Sequence, residues 1–357
     1  MKPLNQEAKF IDPISDPRWD RFVEGHHFGW ICHLSGWKRV LESSFPHIKG
    51  YYPVLLDSSG ESISAGVPVF QVKSWLTGNR LVSIPFATLC DPLISTPDDM
   101  RQLLELTKGL YLNNRNAYME VRTLMSSDLM ECRWFSKSLV FKNHYISLAP
   151  GLNEIRRKFH QKSVQNRIKK AINSGIELKT GESEADLFEF FKLHKLTRKR
   201  LGLPCHPYRF IRNMWYEFYP KGQISLFLAL KDGHNVAGLI SFKYKKRFSM
   251  ELGAVNHKYM GISPTHFLYW NAITTAYKEG YHILDFGRTS SLNEGLMLFK
   301  KKWGTEVVDL PQFYYPHNKG RAQNEESIKY RIISKLCKIA PINLQETIGD
   351  FCYRHMG

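Results

Sequence analysis

Cysteine is sparse and unpaired in this chain. Six residues stand at Cys32, Cys90, Cys132, Cys205, Cys337 and Cys352 among 357, and none makes a C-x-x-C pair. The 14 histidines add no spacing that would complete a zinc site. The cysteines therefore read as free core thiols in a reducing compartment, and no metal is expected. No apolar run approaches the roughly 18 residues of a membrane span. The opening MKPLNQEAKFIDPISDP has no apolar stretch of the signal-peptide kind, so a cytoplasmic protein is expected. There is no G-x-S-x-G string, and the scattered serines, histidines and cysteines do not read as a nucleophilic triad. His160, His194 and His206 read as structural or surface positions. Acids are short as well: 33 Asp and Glu face 50 Lys and Arg, a net charge of +17. Such an excess points to an anionic partner, whether nucleic acid, a phosphorylated donor, an anionic glycan carrier or a membrane surface.

Enough apolar residues are present, 43% of the chain, to build two cores of ordinary size. Pro150 and Gly151 make a natural joint, which predicts units over 1–150 and 151–318 followed by a tail over 319–357. Residues 51–57 and 63–72 read as strands around a Ser-Ser-Gly turn. Residues 98–113 read as a helix capped by Thr96 or Asp98, with a strand over 117–122 after it. In the second half, 185–201 reads as a helix stopped by Gly202. A hairpin over 224–230 and 237–244 and a strand over 247–254 come next. A faint internal repeat links NAYMEVRTLMSSDLMECRWF to GYHILDFGRTSSLNEGLMLF. Each puts an acid and an arginine on a strand, then a Ser-Ser loop, then an apolar run.

The densest stretch is 256–306. Ser263 sits at a helix N-cap, Pro264 at the first helical position and Gly280 just past the end. A strand over 281–287 follows, with Ile283 and Asp285 on one side and Leu284 and Phe286 on the other. Before the helix, Lys258-x-x-Gly261-x-Ser263 brings a glycine and a hydroxyl to a helix N-terminus. There the free backbone N–H groups and the dipole favour an anion. Seven Lys or Arg and no acid lie between Arg156 and Lys170. An acid-free run gains nothing from ion pairs along its own helix, so an anion at Arg167, Lys169 and Lys170 is expected. In the tail, Ile328, Ile332, Leu336 and Ile339 form one apolar stripe with lysines beside it. Such a helix either packs on its own domain or lies on an anionic membrane, here through residues 328–354.

These strings resemble a known group. Lys258-x-x-Gly261-x-Ser263 looks like a degenerate form of the Q/R-x-x-G-x-G/A loop on which GNAT-fold acyltransferases bind coenzyme A. The order Leu284-Asp285-Phe286-Gly287-Arg288, then Gly295-Leu296-Met297-Leu298-Phe299-Lys300, then Trp303-Gly304 is similar to FemAB-like transferases. Those are tandem GNAT-fold proteins that add amino acids to peptidoglycan precursors. The order also resembles their acetyltransferase relatives of exopolysaccharide and cellulose synthesis. WKRVLESSFP, LVSIPFATLCDPL, QNRIKKAINSGIEL and LTRKRLGLPCHPYRF resemble further segments of the same group, so the likeness spans residues 30–350.

The resemblance implies an α/β fold of mixed sheets, with two similar GNAT-like units and the active site in the second. It places a catalytic lysine on Lys300, in a Phe-Lys-x-x-aromatic-Gly pattern. Lys300, Lys301 and Lys302 sweep about 200° of helix, so at least one turns from solvent. Arg198 falls in a segment that lies near the substrate cleft of the family. Asp285 and Arg288 read either as a structural ion pair or as a pair that orients a polar acceptor. The implied donor is acetyl-CoA or another acyl-CoA, with aminoacyl-tRNA as the alternative. The implied acceptor is an amine on an anionic or carrier-linked cell-envelope glycan, exopolysaccharide or peptidoglycan precursor. A basic module that binds an anionic polymer or membrane without catalysis also satisfies the charge. The expected location is the cytoplasm, with the inner membrane surface as the alternative.

Overall fold

Apolar and aromatic residues at alternating positions build fifteen strands among the described residues. The computed structural model describes residues 7–74, 79–110, 118–130, 133–316 and 328–355. The linker expected over 317–326 lies outside them. The chain forms two compact units. One gathers Met1–Phe141, Asp309–Gln323 and Tyr353–Gly357, and the other Lys142–Val308 and Asn324–Cys352.

The first unit takes β1 (Ala8–Ile11), β2 (Ile48–Leu56), β3 (Ile63–Gly66), β4 (Val69–Val72), β5 (Arg80–Val82), β6 (Met119–Arg122) and β7 (Ser136–Ser138). Helices α1 (Arg18–Gly25), α2 (Ser35–Ser44) and α3 (Pro97–Thr107) accompany it. The single strand expected over 63–72 is broken into β3 and β4 around Pro68, which cannot donate to a ladder. Helix α3 starts where expected. Thr96 accepts from the Asp99 N–H at 3.2 Å, and Asp99 answers the Thr96 N–H at 2.9 Å.

The second unit takes β8 (Phe141–Ser147), β9 (Glu177–Gly181), β10 (Ile224–Lys231), β11 (His234–Tyr244), β12 (Arg247–Val255), β13 (Ile283–Ser290) and β14 (Glu306–Asp309). Its helices are α4 (Leu152–Arg157), α5 (Asn166–Asn173), α6 (Glu184–Leu201), α7 (Tyr208–Phe218), α8 (Pro264–Lys278) and α9 (Glu294–Lys301). Two more, α10 (Ile328–Ile339) and α11 (Gln345–Tyr353), come from the tail. Helix α6 ends at Gly202 in the left-handed conformation, φ 69°. The unit's core forms where Phe267, Leu268, Ala272 and Ile273 of α8 meet Phe227, Leu239, Phe248 and Leu284 of the sheet, with Trp303 beneath.

A last strand, β15 (Gln312–Tyr315), returns to the first sheet. The first sheet runs β1-β2-β4-β5-β6-β15-β7 and the second, read from its other edge, β9-β10-β11-β12-β13-β8-β14. The two orders correspond position by position, with the parallel pairs β5/β6 and β12/β13 at the same place in each. After β6 and β7 the chain passes to β8, beside β13. After β13 and β14 it passes to β15, beside β6. Each sheet therefore takes its sixth strand from the other half of the sequence. This exchange, invisible to composition, puts the division at Phe141–Lys142 instead of Pro150. It also gives Asp309–Gln323 to the first unit. The faint sequence repeat falls on the equivalent strands β6 and β13.

Phe313 of β15 is fully buried against Met119, Val121 and Phe135 of the first core. Phe313→Ala should cost about 3–5 kcal/mol in a urea titration. It should speed amide exchange at Met119 and Val121 while leaving Leu284 unchanged. Faster exchange at Leu284 alone would contradict the strand exchange.

Candidate active site in the second unit

Strands β12 and β13 have nine and eight residues, yet they share only three register pairs. The last is Ser249↔Asp285. Both strands depart from regular geometry just beyond it. Ser241 pairs with Met250 and Ile240 with Leu252, so Glu251 is the extra residue of a β-bulge. On the other strand Gly287 takes φ 73°, a conformation that favours glycine, and its N–H donates to Asp285 Oδ1 at 2.6 Å. A gap opens in the sheet as a result.

Charged side chains gather at the foot of this gap. Asp285 is fully buried. Its Oδ2 accepts from Asn143 Nδ2 at 3.2 Å and pairs with the Arg247 guanidinium. Ser249 Oγ donates to Glu251 Oε1 at 2.6 Å. Lys300 is the one buried residue of α9, and its Nζ donates to the carbonyls of Gly287 at 2.8 Å and Arg288 at 3.2 Å. Burial pulls the Lys300 ammonium down to about 8, opposed by the negative charges of Asp285 and Glu251. Burial pushes the Glu251 carboxyl up to about 7, with Asp285 adding to the rise and Ser249 and Lys300 opposing it. One acid and one base thus titrate near neutrality side by side, the arrangement expected where protons move.

A cavity of ≈ 810 Å³ lies in the same unit, between the sheet and the ends of α5, α6, α8 and α9. Gly253 and Ala254 of β12 line it, so it reaches the parted strands. Its lining carries four basic side chains, Lys162, Arg167, Arg200 and Lys302, and no acid. Val164, Leu268 and Phe299 supply apolar wall. The first turn of α8 enters through Ser263, Thr265 and His266. The dipole at the helix start adds to the positive potential. Ser263 is left-handed, φ 63°, and its hydroxyl makes no capping bond, so it is not the side-chain N-cap its position implies. Tyr269 also lines the cavity. A Cβ built at Gly253 would stand 3.7 Å from its hydroxyl, and burial pushes that phenol up to about 12.

The residues singled out from sequence scatter around these features. Lys300 faces inward while Lys301 is exposed. Arg167 lines the cavity, but Lys169 and Lys170 are exposed and outside it. Arg198 turns away, its Nε on the Pro204 carbonyl at 2.8 Å, and Arg200 takes the cavity position. Ser263 lines the cavity; Lys258 and Gly261 are exposed and do not. Asp285 is held by Arg247, across the strand pair, and Arg288 is exposed. Glu251, Arg247 and Tyr269 were not legible as site residues; a bulge and a partner 38 positions away leave no local pattern. Among the described residues no cluster of His, Cys, Asp or Glu could hold a metal ion.

Two corresponding mixed sheets, with a parallel pair that parts beside a cation-lined cavity, define a tandem GNAT-like acyltransferase fold. Residues 158–301, which hold the cavity and Lys300, match the family model described as an acetyltransferase (GNAT) domain. The chain thus carries a GNAT domain and is an acyltransferase. The crystal structure of FemX is similar at 14% identity and a TM-score of 0.70, covering 92% of this chain and 100% of that one. L-PGS from Bacillus licheniformis is similar at 14% and 0.54, covering 91% and 98%. A tandem GNAT protein from the clavulanic acid biosynthesis pathway is similar at 10% and 0.53, covering 89% and 100%. A search of curated proteins by sequence gives no match.

Removing one partner of a buried ion pair leaves the other uncompensated. Asp285→Ala should therefore cost about 3–5 kcal/mol in urea unfolding. Arg288→Ala should cost less than about 1 kcal/mol. Equal losses would contradict the pairing with Arg247.

Proposed function

We propose that the second unit transfers an acyl group from coenzyme A to an amine. The donor occupies the cavity, and the acceptor reaches the β12/β13 gap beside Glu251. The observation that carries this reading is the cavity lining: four cations, no acid and a helix N-terminus, ending at the parted strands. A volume of ≈ 810 Å³ lies within the range of small-molecule and cofactor sites. The phosphates suit Lys162, Arg167, Arg200, Lys302 and the start of α8. The apolar wall suits the uncharged arm. Bound there, the donor supplies an activated acyl carbonyl.

The chain's own residues have separate roles. Glu251, half ionised near pH 7, takes the proton that the attacking amine must lose. Lys300 holds the Gly287 and Arg288 carbonyls back from the gap with two of its N–H groups. Its charge favours the negative oxygen that develops at the acyl carbon. Tyr269, a neutral phenol at physiological pH, returns a proton to the departing sulfur as the carbon–sulfur bond breaks. The acceptor class we favour is an amine on a carrier-linked cell-envelope precursor, handled in the cytoplasm or at the inner membrane surface. The fold shared with FemX and L-PGS supports that class. Aminoacyl-tRNA is the second donor reading, supported by Lys169 and Lys170. They face outward beyond the cavity, where a nucleic-acid backbone could lie.

Mass spectrometry of acceptor panels mixed with acetyl-CoA or with charged tRNA separates the donors. Modification in the acetyl-CoA mix is expected; modification only with charged tRNA would replace the first reading by the second. With a working acceptor, kcat/KM should rise through about pH 7 as Glu251 ionises and fall through about 8 as Lys300 loses its proton. Glu251→Gln should flatten the acid limb and lower kcat by roughly 10²–10⁴. Lys300→Met should lower kcat and kcat/KM together by roughly 10²–10³, with Lys301→Met as the neutral control. An unchanged acid limb in Glu251→Gln would remove Glu251 from the proton step.

A further inference from the structure

Helix α10 packs on the second unit by the wrong face for an ordinary amphipathic helix. Its inward side carries small residues beside the half-buried Ile333. Cys337 is fully buried, and Ser334 Oγ lies 2.5 Å from where a Cβ on Gly202 would stand. The carbonyls near its end are bound from inside, Cys337 by Gln345 Nε2 at 2.9 Å and Ala340 by Lys199. Helix α11 fixes the arrangement. Its Gly349 passes so close to the Cys205 carbonyl that an added Cβ would stand 1.9 Å away. The tail is held firmly, yet its apolar stripe points outward.

That stripe is Ile332, Leu336 and Ile339, spaced i, i+4, i+7 and 62%, 46% and 69% exposed. Ile342 and Leu344, 39% and 46% exposed, extend it past the helix end. A helix that buried its apolar stripe in its own core would show the reverse. The charged residues of the helix are all cations. Helix α10 has no Asp or Glu, and Arg331, Lys335 and Lys338 are exposed. At 100° per residue all three fall within about 120° of Ile332, on one side of the stripe.

We propose that α10 docks the second unit on an anionic lipid surface. The aliphatic stripe enters the headgroup–acyl boundary and the cation row meets lipid phosphates. Charge selects this occupant over a second copy of the chain. Stripe-to-stripe pairing would bring two acid-free cation rows together, whereas an anionic bilayer neutralises one. The same side of the unit shows more exposed aliphatic surface. Lys338 adjoins Gly202 at the end of α6, and the preceding Leu201, 46% exposed, lines the cavity together with Met260 and Leu298, 48% and 54% exposed. Docking through α10 would bring a lipid-borne substrate to that mouth. The docking itself does not depend on which acyl donor the cavity takes.

Co-sedimentation of the full chain with phosphatidylglycerol-containing vesicles, and with pure phosphatidylcholine vesicles, tests this without any activity assay. Binding to the anionic vesicles that weakens with salt is expected, with little on phosphatidylcholine. Ile332→Asp with Ile339→Asp should lower partitioning at least about tenfold. Lys335→Gln and Lys338→Gln should each lower it about fivefold. All four positions are exposed, so thermal melts should match the parent. Failure of the parent to bind anionic vesicles would overturn the proposal, as would binding indifferent to both sets of substitutions. Light scattering that shows a dimer dissociated by Ile332→Asp would assign the stripe to a second copy instead.

Discussion

The second unit depends on the buried carboxylate of Asp285. An uncompensated charge inside a protein costs several kcal/mol, and Asp285 avoids that cost with three partners. Arg247 comes from the neighbouring strand, Asn143 from the exchanged strand β8, and the Gly287 N–H from its own chain just ahead. Meeting those partners makes Ser249↔Asp285 the last pair of the ladder and turns β13 at Gly287. The gap, the Lys300 carbonyl contacts and the placement of Glu251 follow from that turn. The first unit has the same frame with different charges. Val82↔Glu120 matches Ser249↔Asp285 in register, and Gln312 of β15 reaches Glu120 at 3.4 Å much as Asn143 reaches Asp285. There, however, Arg122 pairs with Glu120 at 2.8 Å and fixes the Ala87 carbonyl at 3.1 Å, so the cluster is closed upon itself.

Charge is distributed unevenly across the second unit. The cavity has only cations, whereas the foot of the gap mixes Asp285 and Glu251 with Arg247 and Lys300. A polyanion is therefore favoured on the cavity side. Proton exchange is favoured at the gap, where burial has moved one carboxyl up and one ammonium down.

Much of this was legible in the sequence wherever the signal is local. Gly202 and Gly280 stop their helices in positive φ as read, and Thr96 caps α3. Lys300 could be singled out because a motif fixes its phase on the helix. Where phase was unknown, neighbours were confused: Arg198 was chosen and Arg200, two residues on, lines the cavity. Long-range features left no trace. Arg247 and Asp285 meet only because β12 and β13 pair in parallel, and Asn143 arrives on a strand exchanged between halves. Glu251 carries no periodic signal because a bulge takes it out of alternation. The stripe of α10 was legible, but not which way it faces; that depends on Gly202 accepting Ser334 of α10 and Cys205 accepting Gly349 of α11.

The central claim is that the cation-lined cavity beside the parted strands is the donor site. A crystal structure of the chain with coenzyme A tests it most directly. The account predicts phosphate density at the start of α8 between Arg167 and Arg200, with the thiol end directed to the gap near Glu251 and Tyr269. Coenzyme A bound elsewhere on the chain, with this cavity empty, would contradict it.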